Sequence, residues 1–142
     1  MNGLALARAA ETLVGTPYRM GGRDQRLGLD CLGVLAAAME RIGCQIDLPK
    51  GYRLKIRHLD LWLPDPDRAG FISASAPFLP GDVVLLRTGP GQFHLAIADA
   101  DRGWVHAHAG LRRIVRQAEM PSGTIAGHWR AKPLQKAEPW QP

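Results

Sequence analysis

Apolar residues recur every three or four positions near the start of the chain, which is the spacing of an amphipathic helix. Leu6, Ala10 and Val14 share one face, and the charged side chains lie off it. Asn2 can cap the N-terminus of such a helix, because its side-chain oxygen accepts a hydrogen bond from the first turn. We therefore predict a helix over residues 3–14.

A second apolar face with the same period follows Asp30, a residue type that often caps helices. Gly43 closes the segment, since glycine commonly follows the last turn of a helix. We predict a helix over residues 31–42, with Cys31 in its first turn. The residues of its apolar face are Leu32, Leu35, Ala36, Met39 and Ile42.

From residue 81 onward the pattern changes to short apolar or alternating runs separated by turns, which is typical of antiparallel strands. Helices followed by an antiparallel sheet of four or five strands place the chain in the α+β class. The predicted strands cover residues 83–87, 93–98, 104–108, 111–117 and 125–131.

The other segments have no clear period. Residues 15–29 hold four glycines and a proline and are predicted to form a loop. Residues 44–80 hold five prolines and are predicted to be mostly irregular, with one short helix near residues 52–60. Residues 132–142 are predicted to be an irregular tail, and residues 1–142 to form a single domain.

The net charge and the hydropathy of the chain bear on whether it binds nucleic acid, a cell wall or a membrane. The net charge is +5, but the basic residues are scattered and no nucleic-acid-binding motif accompanies them, so we expect no nucleic-acid partner. Attraction to an anionic cell wall is the other interpretation of the basic surface. The longest uncharged apolar run, residues 31–39, is too short to span a bilayer, so we expect no membrane span. Residues 1–11 lack a basic segment followed by an apolar one, and no secretory signal is expected.

Two cysteines, Cys31 and Cys44, indicate neither a disulfide framework nor a metal site. An intervening helix would hold them roughly 20 Å apart, beyond the reach of about 7 Å between Cα atoms in a disulfide. Position favours chemistry at Cys31, because the positive end of a helix dipole stabilises the nucleophilic thiolate. We expect no metal or other cofactor, and we interpret Cys44 as structural.

Two of the five histidines, His94 and His106, lie on successive predicted strands joined by a tight turn. Side chains that face each other across such a hairpin are close neighbours. His108 shares a face with His106, since side chains alternate along a strand. A nucleophilic cysteine needs a base and a group that orients the base. If His94 is the base, the residues alone leave His106 and His108 as alternatives for the orienting role.

Several short motifs follow one another in a set order along the chain. They are Gly15-Thr-Pro-Tyr18-x-x-Gly21-Gly22, Asp30-Cys31-x-Gly33, Gly81-Asp82-Val83, His94 and His106. In these motifs and their order the chain resembles the NlpC family of papain-like cell-wall endopeptidases over nearly its whole length. Its Asp-Cys-Leu-Gly motif is most similar to the branch encoded by phages and gene transfer agents.

The resemblance implies catalytic roles for three residues. Cys31 would attack an amide carbonyl, and His94 would take the thiol proton and later give it to the leaving amine. His106, rather than His108, would orient the ring of His94.

The resemblance also implies a substrate-binding region. Tyr18 would steady the oxyanion, and Asp30 would help to hold the free amine of a wall peptide. Gly22, together with Gly21, would keep the floor of the cleft open. Leu32 departs from the family, which usually has serine after the cysteine, and this departure weakens the expected recognition of the amine.

The implied activity is hydrolysis of the γ-D-glutamyl–diamino acid bond in peptidoglycan stem peptides. Two alternatives stay open: a papain-like acyltransferase or thioesterase with the same cysteine and histidine, and a non-catalytic structural component of a phage-like tail. The implied partners are peptidoglycan peptides and phage-like tail proteins. The implied route is synthesis in the cytoplasm and carriage in a phage-like particle to the periplasm or cell wall.

Overall fold

The computed structural model describes residues 2–44 and 70–132. Two helices come first along the chain and an antiparallel sheet follows, which confirms the α+β class. Neither helix within these residues has the length and apolar character needed to cross a membrane. The short helix predicted near residues 52–60 and the tail predicted after residue 132 lie outside the described residues.

Helix α1 spans Gly3–Glu11 and begins where the sequence predicts. The side-chain oxygen of Asn2 accepts a 3.2 Å hydrogen bond from the amide of Ala5, which confirms the cap. The helix ends earlier than residue 14, and the chain then turns at Gly15, whose φ of 93° is in the left-handed region. Val14 therefore does not lie on the buried face as predicted; it is 43% exposed.

Helix α2 spans Cys31–Arg41. The carboxylate of Asp30 accepts a 2.7 Å hydrogen bond from the amide of Gly33, so the predicted cap and the place of Cys31 in the first turn are both confirmed. Cys44 follows the other end of the helix, and no disulfide joins the two cysteines.

Residues 15–29, predicted to be a loop, contain a small two-stranded ribbon. Strand β1 (Arg23–Asp24) pairs antiparallel with strand β2 (Gly28–Leu29), and an isolated bridge joins Tyr18 to the second of these strands. Strands of two residues are too short to show an alternating pattern, so they could not be predicted from periodicity. The ribbon holds the chain that leads into α2.

In the part of the chain that the structure describes, six strands form the main sheet, in the spatial order β3-β8-β4-β5-β6-β7, and every neighbouring pair is antiparallel. Five of them correspond to the predicted strands. The six are β3 (Phe71–Ser73), β4 (Val83–Gly89), β5 (Gln92–Ala98), β6 (Trp104–His108), β7 (Arg113–Gln117) and β8 (Thr124–Ala131).

Among the described residues the sheet thus has six strands, whereas four or five were predicted. Strand β3 forms the edge beside β8, in a segment predicted to be irregular, and its one buried residue is Phe71, which is 1% exposed. A single buried position gives no period to detect. Strand β7 begins two residues later than predicted, because Arg112 adopts a left-handed φ of 54° that belongs to a turn.

Alternation along the strands divides the apolar side chains between two faces of the sheet. Val83 and Leu85 of β4 pack with the two helices in the larger core, whereas Val84 and Leu86 point to the opposite face. The smaller cluster on that opposite face consists of Val84, Leu86, Ala96, Ala98 and Trp104, with Phe78 and Met120 packed against it.

A buried carboxylate fixes the start of β4. The side chain of Asp82 is fully buried and accepts hydrogen bonds from Nε2 of His128 at 2.6 Å, from the guanidinium of Arg130 at 2.9 Å and from the amide of Leu79 at 3.0 Å. Burial alone would raise the pKa of Asp82, but these hydrogen bonds hold it below its ordinary value. We call Asp82, His128 and Arg130 the Asp82 cluster.

Candidate active site

Cys31 is the first residue of α2, at the end of the helix where backbone N–H groups point outward. Its side chain is 5% exposed and belongs to the main apolar core, but the residue also lines a cleft. The positive end of the helix dipole favours the thiolate there. Cys44, at the far end of the helix, packs against the core and does not line the cleft.

The cleft beside Cys31 has a volume of about 510 Å³. Residues of the chain before α2, of the β4–β5 turn, of β5 and β6, and of the loop after β7 form its walls. They are Tyr18, Asp30, Cys31, Thr88, Gly91, Gln92, Phe93, His94, His106, Ala107, His108, Ala109, Gly110, Pro121 and Ser122.

His94 and His106 form a hydrogen-bonded pair in the wall of this cleft. Nε2 of His94 lies 2.8 Å from Nδ1 of His106, and the two rings are nearly perpendicular, at 84°. The pairing of β5 with β6 ends at Ala96 and His106, so His94 reaches its partner diagonally across the end of the ladder. We call these two residues the histidine pair.

His108 lies near the histidine pair without joining it. Its ring centroid is 5.8 Å from that of His106, and its Nδ1 accepts a 3.0 Å hydrogen bond from the amide of Leu111. The alternation of side chains along β6 puts His106 and His108 on the same face, so it could not predict which of them contacts His94. The hydrogen bond of His94 is made with His106.

Burial sets the protonation of the pair. It lowers the pKa of His94 from 6.5 to about 4, and positive charge on His106 or His108 would lower it further. Burial also lowers the pKa of His106; His108 acts in the same direction, and the hydrogen bond that His106 donates to Gln117 acts against it. Both rings are therefore neutral near pH 7, the state in which a histidine can accept a proton.

Gln117, at the end of β7, is a residue of the site that the sequence reasoning missed. Its amide oxygen lies 2.7 Å from Nε2 of His106, so that His94, His106 and Gln117 form one hydrogen-bonded chain. The signal that could have found it is the pairing of β6 with β7: His106 lies opposite Val115, and the polar residue two positions further along β7 is its diagonal neighbour on the same face.

Tyr18 lines the cleft on the side of Cys31. Its backbone is held by hydrogen bonding to Arg112 and by the bridge to Leu29. Burial raises the pKa of its hydroxyl, and the neighbouring Cys31 and Asp30 act in the same direction. The phenol therefore keeps its proton over the neutral range and can donate a hydrogen bond.

Asp30 is 2% exposed, and its carboxylate already has several donors. Arg23 forms an ion pair with Oδ1 at 2.6 Å, the amide of Gly33 also donates to Oδ1, and the amide of Gly21 donates to Oδ2 at 3.0 Å. Oδ1 thus has two donors and Oδ2 one, whereas a carboxylate can accept about four hydrogen bonds. The contacts place Asp30 as the cap of α2 and the anchor of the preceding loop.

Gly22 lies behind the cleft and not among the residues that line it. A Cβ atom at this position would collide with the backbone oxygen of Gly28, and a Cβ at Gly33 would collide with the backbone oxygen of Gly22. These two glycines of the motif thus allow the β1–β2 ribbon to pack against the start of α2. Gly21, also absent from the lining, has a left-handed φ of 71°.

One cleft is lined by a thiol at a helix N-terminus, a pair of neutral imidazoles and a phenol. These are the groups needed for acyl transfer through a cysteine. Within residues 2–44 and 70–132, no group of three or more acidic, histidine or cysteine side chains is placed to hold a metal ion. The fold and this set of groups define a class of α+β proteins with a cysteine–histidine site on the helix–sheet boundary.

Comparison with known proteins identifies the family. The sequence model of the NlpC/P60 family matches residues 15–130, and the chain belongs to this family. Members of the family are generally cysteine peptidases or amidases.

Individual relatives agree with this assignment. The chain is 33% identical over 95 residues to a protein of Escherichia coli (strain K12) described as probable endopeptidase NlpC. That alignment covers 66% of this chain and 53% of the relative, so the chain spans about half the length of the curated relative it matches.

Solved structures show the same fold. The NlpC/P60 domain of the peptidoglycan hydrolase SagA is 28% identical, with a TM-score of 0.55 over 82% of this chain and 89% of that domain. An NlpC/P60 family protein from Bacillus cereus ATCC 10987 is 21% identical, with a TM-score of 0.66 over 94% of this chain and 41% of that one.

Proposed function

We propose that the protein is a cysteine endopeptidase or amidase that hydrolyses peptidoglycan stem peptides. Cys31 is the nucleophile, His94 the base and His106 the residue that orients His94. The observation that carries this proposal is that Cys31, at the N-terminus of α2, and the histidine pair line the same cleft. Membership of a family of cysteine peptidases and amidases supports the reaction class.

The reaction begins with transfer of the Cys31 thiol proton to the unprotonated nitrogen of His94. The thiolate attacks the carbonyl carbon of the amide, and the carbonyl oxygen becomes an oxyanion. When the tetrahedral intermediate collapses, the C–N bond breaks and His94 gives the proton to the leaving amine. Water, deprotonated by His94, then attacks the acyl-cysteine and releases the carboxylate product and the thiol.

Hydrogen-bond donors near Cys31 would stabilise the oxyanion. The backbone N–H of Cys31 lies at the positive end of α2, and the Tyr18 hydroxyl stays protonated because its pKa is raised. In this proposal Asp30 caps the helix and anchors the preceding loop through Gly21 and Arg23, and it also helps to hold the free amine of the wall peptide.

The bond we propose is the γ-D-glutamyl–diamino acid bond of the stem peptide. The relative described as an endopeptidase and the hydrolase domain of SagA support a wall peptide as the substrate class. The second candidate function is acyl transfer or thioester hydrolysis, which uses the same acyl-cysteine. Phe93, Ala107 and Pro121 in the cleft walls favour that candidate, because they offer apolar contacts to an acyl chain.

Mass spectrometry of purified peptidoglycan fragments, before and after incubation with the protein, tests the proposal. We expect new products cut between D-glutamate and the diamino acid, and a loss of at least about 10⁴-fold in rate for Cys31→Ala. Cys44→Ala is the matched control and should keep its rate. Cleavage that persists in Cys31→Ala would contradict the proposal, and turnover of an acyl thioester with intact wall fragments would select the second candidate.

We also propose that the protein is carried on a phage-like tail. The Asp30-Cys31-Leu32-Gly33 motif supports this, through its similarity to the branch encoded by phages and gene transfer agents. Density-gradient fractionation of a native lysate should show the protein co-sedimenting with particles. Recovery only from the fractions without particles would remove carriage and leave the peptidase proposal intact.

A further inference from the structure

Two hydrogen bonds fix the orientation of the Gln117 side chain. Its amide oxygen lies 2.7 Å from Nε2 of His106, and its amide nitrogen lies 2.6 Å from the carbonyl oxygen of Glu119. The carbonyl oxygen of Glu119 can only accept, so the group that faces it must be the amide NH₂. The oxygen of Gln117 is therefore the atom directed at His106.

This orientation determines the tautomer of His106. Because an amide oxygen cannot donate, the hydrogen of the contact belongs to Nε2 of His106. A neutral imidazole carries one N–H, so Nδ1 of His106 has only a lone pair. His106 is 5% exposed, and its burial among His94, His108 and Gln117 keeps the ring neutral near pH 7.

The tautomer of His106 determines that of His94 in turn. Nε2 of His94 lies 2.8 Å from the Nδ1 lone pair of His106, so Nε2 of His94 must donate. The one hydrogen of a neutral His94 is then used, and its Nδ1 keeps the lone pair. Nδ1 is the nitrogen that remains to accept a proton from a thiol.

We infer that Gln117 is a positioning residue: through His106 it fixes the lone pair of the His94 ring on Nδ1, the nitrogen that takes the Cys31 proton. The inference rests on the proposed function, because it concerns the same Cys31 and His94. Gln117 itself touches His106 and the backbone of Glu119, and it does not line the cleft.

Nitrogen NMR of the histidine rings tests the inference without a substrate. In the wild-type protein at pH 7 we expect both His94 and His106 to carry hydrogen on Nε2. Gln117→Leu removes the acceptor, so both rings should show a mixture of tautomers. Gln25→Leu is the matched control, since Gln25 accepts from Arg41 at an exposed site outside the cleft and should leave the rings unchanged.

The rate of Cys31 alkylation by iodoacetamide and kcat/KM on wall fragments give a second readout. Gln117→Leu should lower both rates roughly 10- to 100-fold.

Gln117→Glu keeps an acceptor and the shape of the side chain, but its carboxylate favours the imidazolium form of His106. A protonated His106 donates from Nδ1 and forces the His94 hydrogen onto Nδ1. The acid limb of the Gln117→Glu pH profile should therefore move to higher pH by about one unit or more.

Unchanged tautomers in Gln117→Leu, with alkylation within about twofold of wild type, would overturn the inference. So would an acid limb that stays in place in Gln117→Glu, which covers the case in which the leucine variant does not fold. Failure of the wild-type protein to cleave wall fragments would overturn the proposed function instead. The tautomer and alkylation readouts would still decide the role of Gln117.

Discussion

Within residues 2–44 and 70–132, two histidine sites differ in their charge partners. In the Asp82 cluster, His128 lies 2.6 Å from a carboxylate that Arg130 also binds, so opposite charges compensate each other inside the protein. In the histidine pair, by contrast, the hydrogen-bond partners of His94 and His106 are another imidazole and a neutral amide. Loss of the carboxylate in the Asp82 cluster would leave His128 and Arg130 without their buried acceptor, so we interpret that cluster as structural. The neutral imidazoles of the histidine pair line a cleft, where a neutral imidazole can accept a proton.

The largest expected effect is a loss of turnover when His94 of the histidine pair is replaced. His94→Gln keeps a side chain of similar size but removes the base, and should lower kcat/KM on wall fragments by about 10²- to 10⁴-fold, with little change in the melting temperature. His108→Gln is the matched control, because His108 lines the same cleft but lacks the hydrogen bond to His94. Equal losses in both variants would place the base elsewhere.

In the Asp82 cluster we expect the opposite result, a loss of stability without a loss of turnover. Asp82→Asn keeps the shape of the side chain but leaves His128 and Arg130 without a carboxylate, and should lower the free energy of unfolding by roughly 2 to 4 kcal/mol. Turnover per folded molecule should stay near that of wild type, because the cluster does not line the cleft. Chemical denaturation with parallel activity assays measures both. A stable but inactive Asp82→Asn protein would break the comparison.

Much of the scaffold of the site could be predicted from the sequence, because local signals encode it. Asp30 caps α2 and puts Cys31 in the first turn, as the capping rule predicts, and the strands that carry His94 and His106 are short, largely apolar segments separated by a turn. The resemblance implied His106 as the orienting residue; the structure shows a hydrogen bond between His94 and His106, and the orienting role stays a prediction.

Other parts depend on contacts that no local pattern reports. The role of Gln117 requires the pairing of β6 with β7 and the orientation of one amide group. The ion pair of Arg23 with Asp30 requires the fold of the β1–β2 ribbon, whose strands are too short to show a period. Strand β3 has one buried residue and pairs with β8, which lies far away in sequence.

The smallest expected effect is a difference in the pH range over which the two histidine sites affect stability. The pKa of His94 is about 4 in the folded protein and close to 6.5 when unfolded, so between these values the unfolded chain binds a proton that the folded protein does not. Stability therefore falls as pH decreases from about 6.5 to 4, and His94→Gln should remove part of this fall. The pKa of Asp82 is lowered below 3.8, so the contribution of Asp82 to stability is lost only at still lower pH.

Melting temperatures of wild type, His94→Gln and Asp82→Asn, measured from pH 7 to pH 3, test this difference in pH range. We expect the difference between His94→Gln and wild type to grow between pH 6.5 and 4, and the penalty of Asp82→Asn to shrink only below about pH 4. Curves for wild type and His94→Gln that stay parallel down to pH 4 would show that the imidazole is not held neutral by burial, and would remove the electrostatic difference between the histidine pair and the Asp82 cluster.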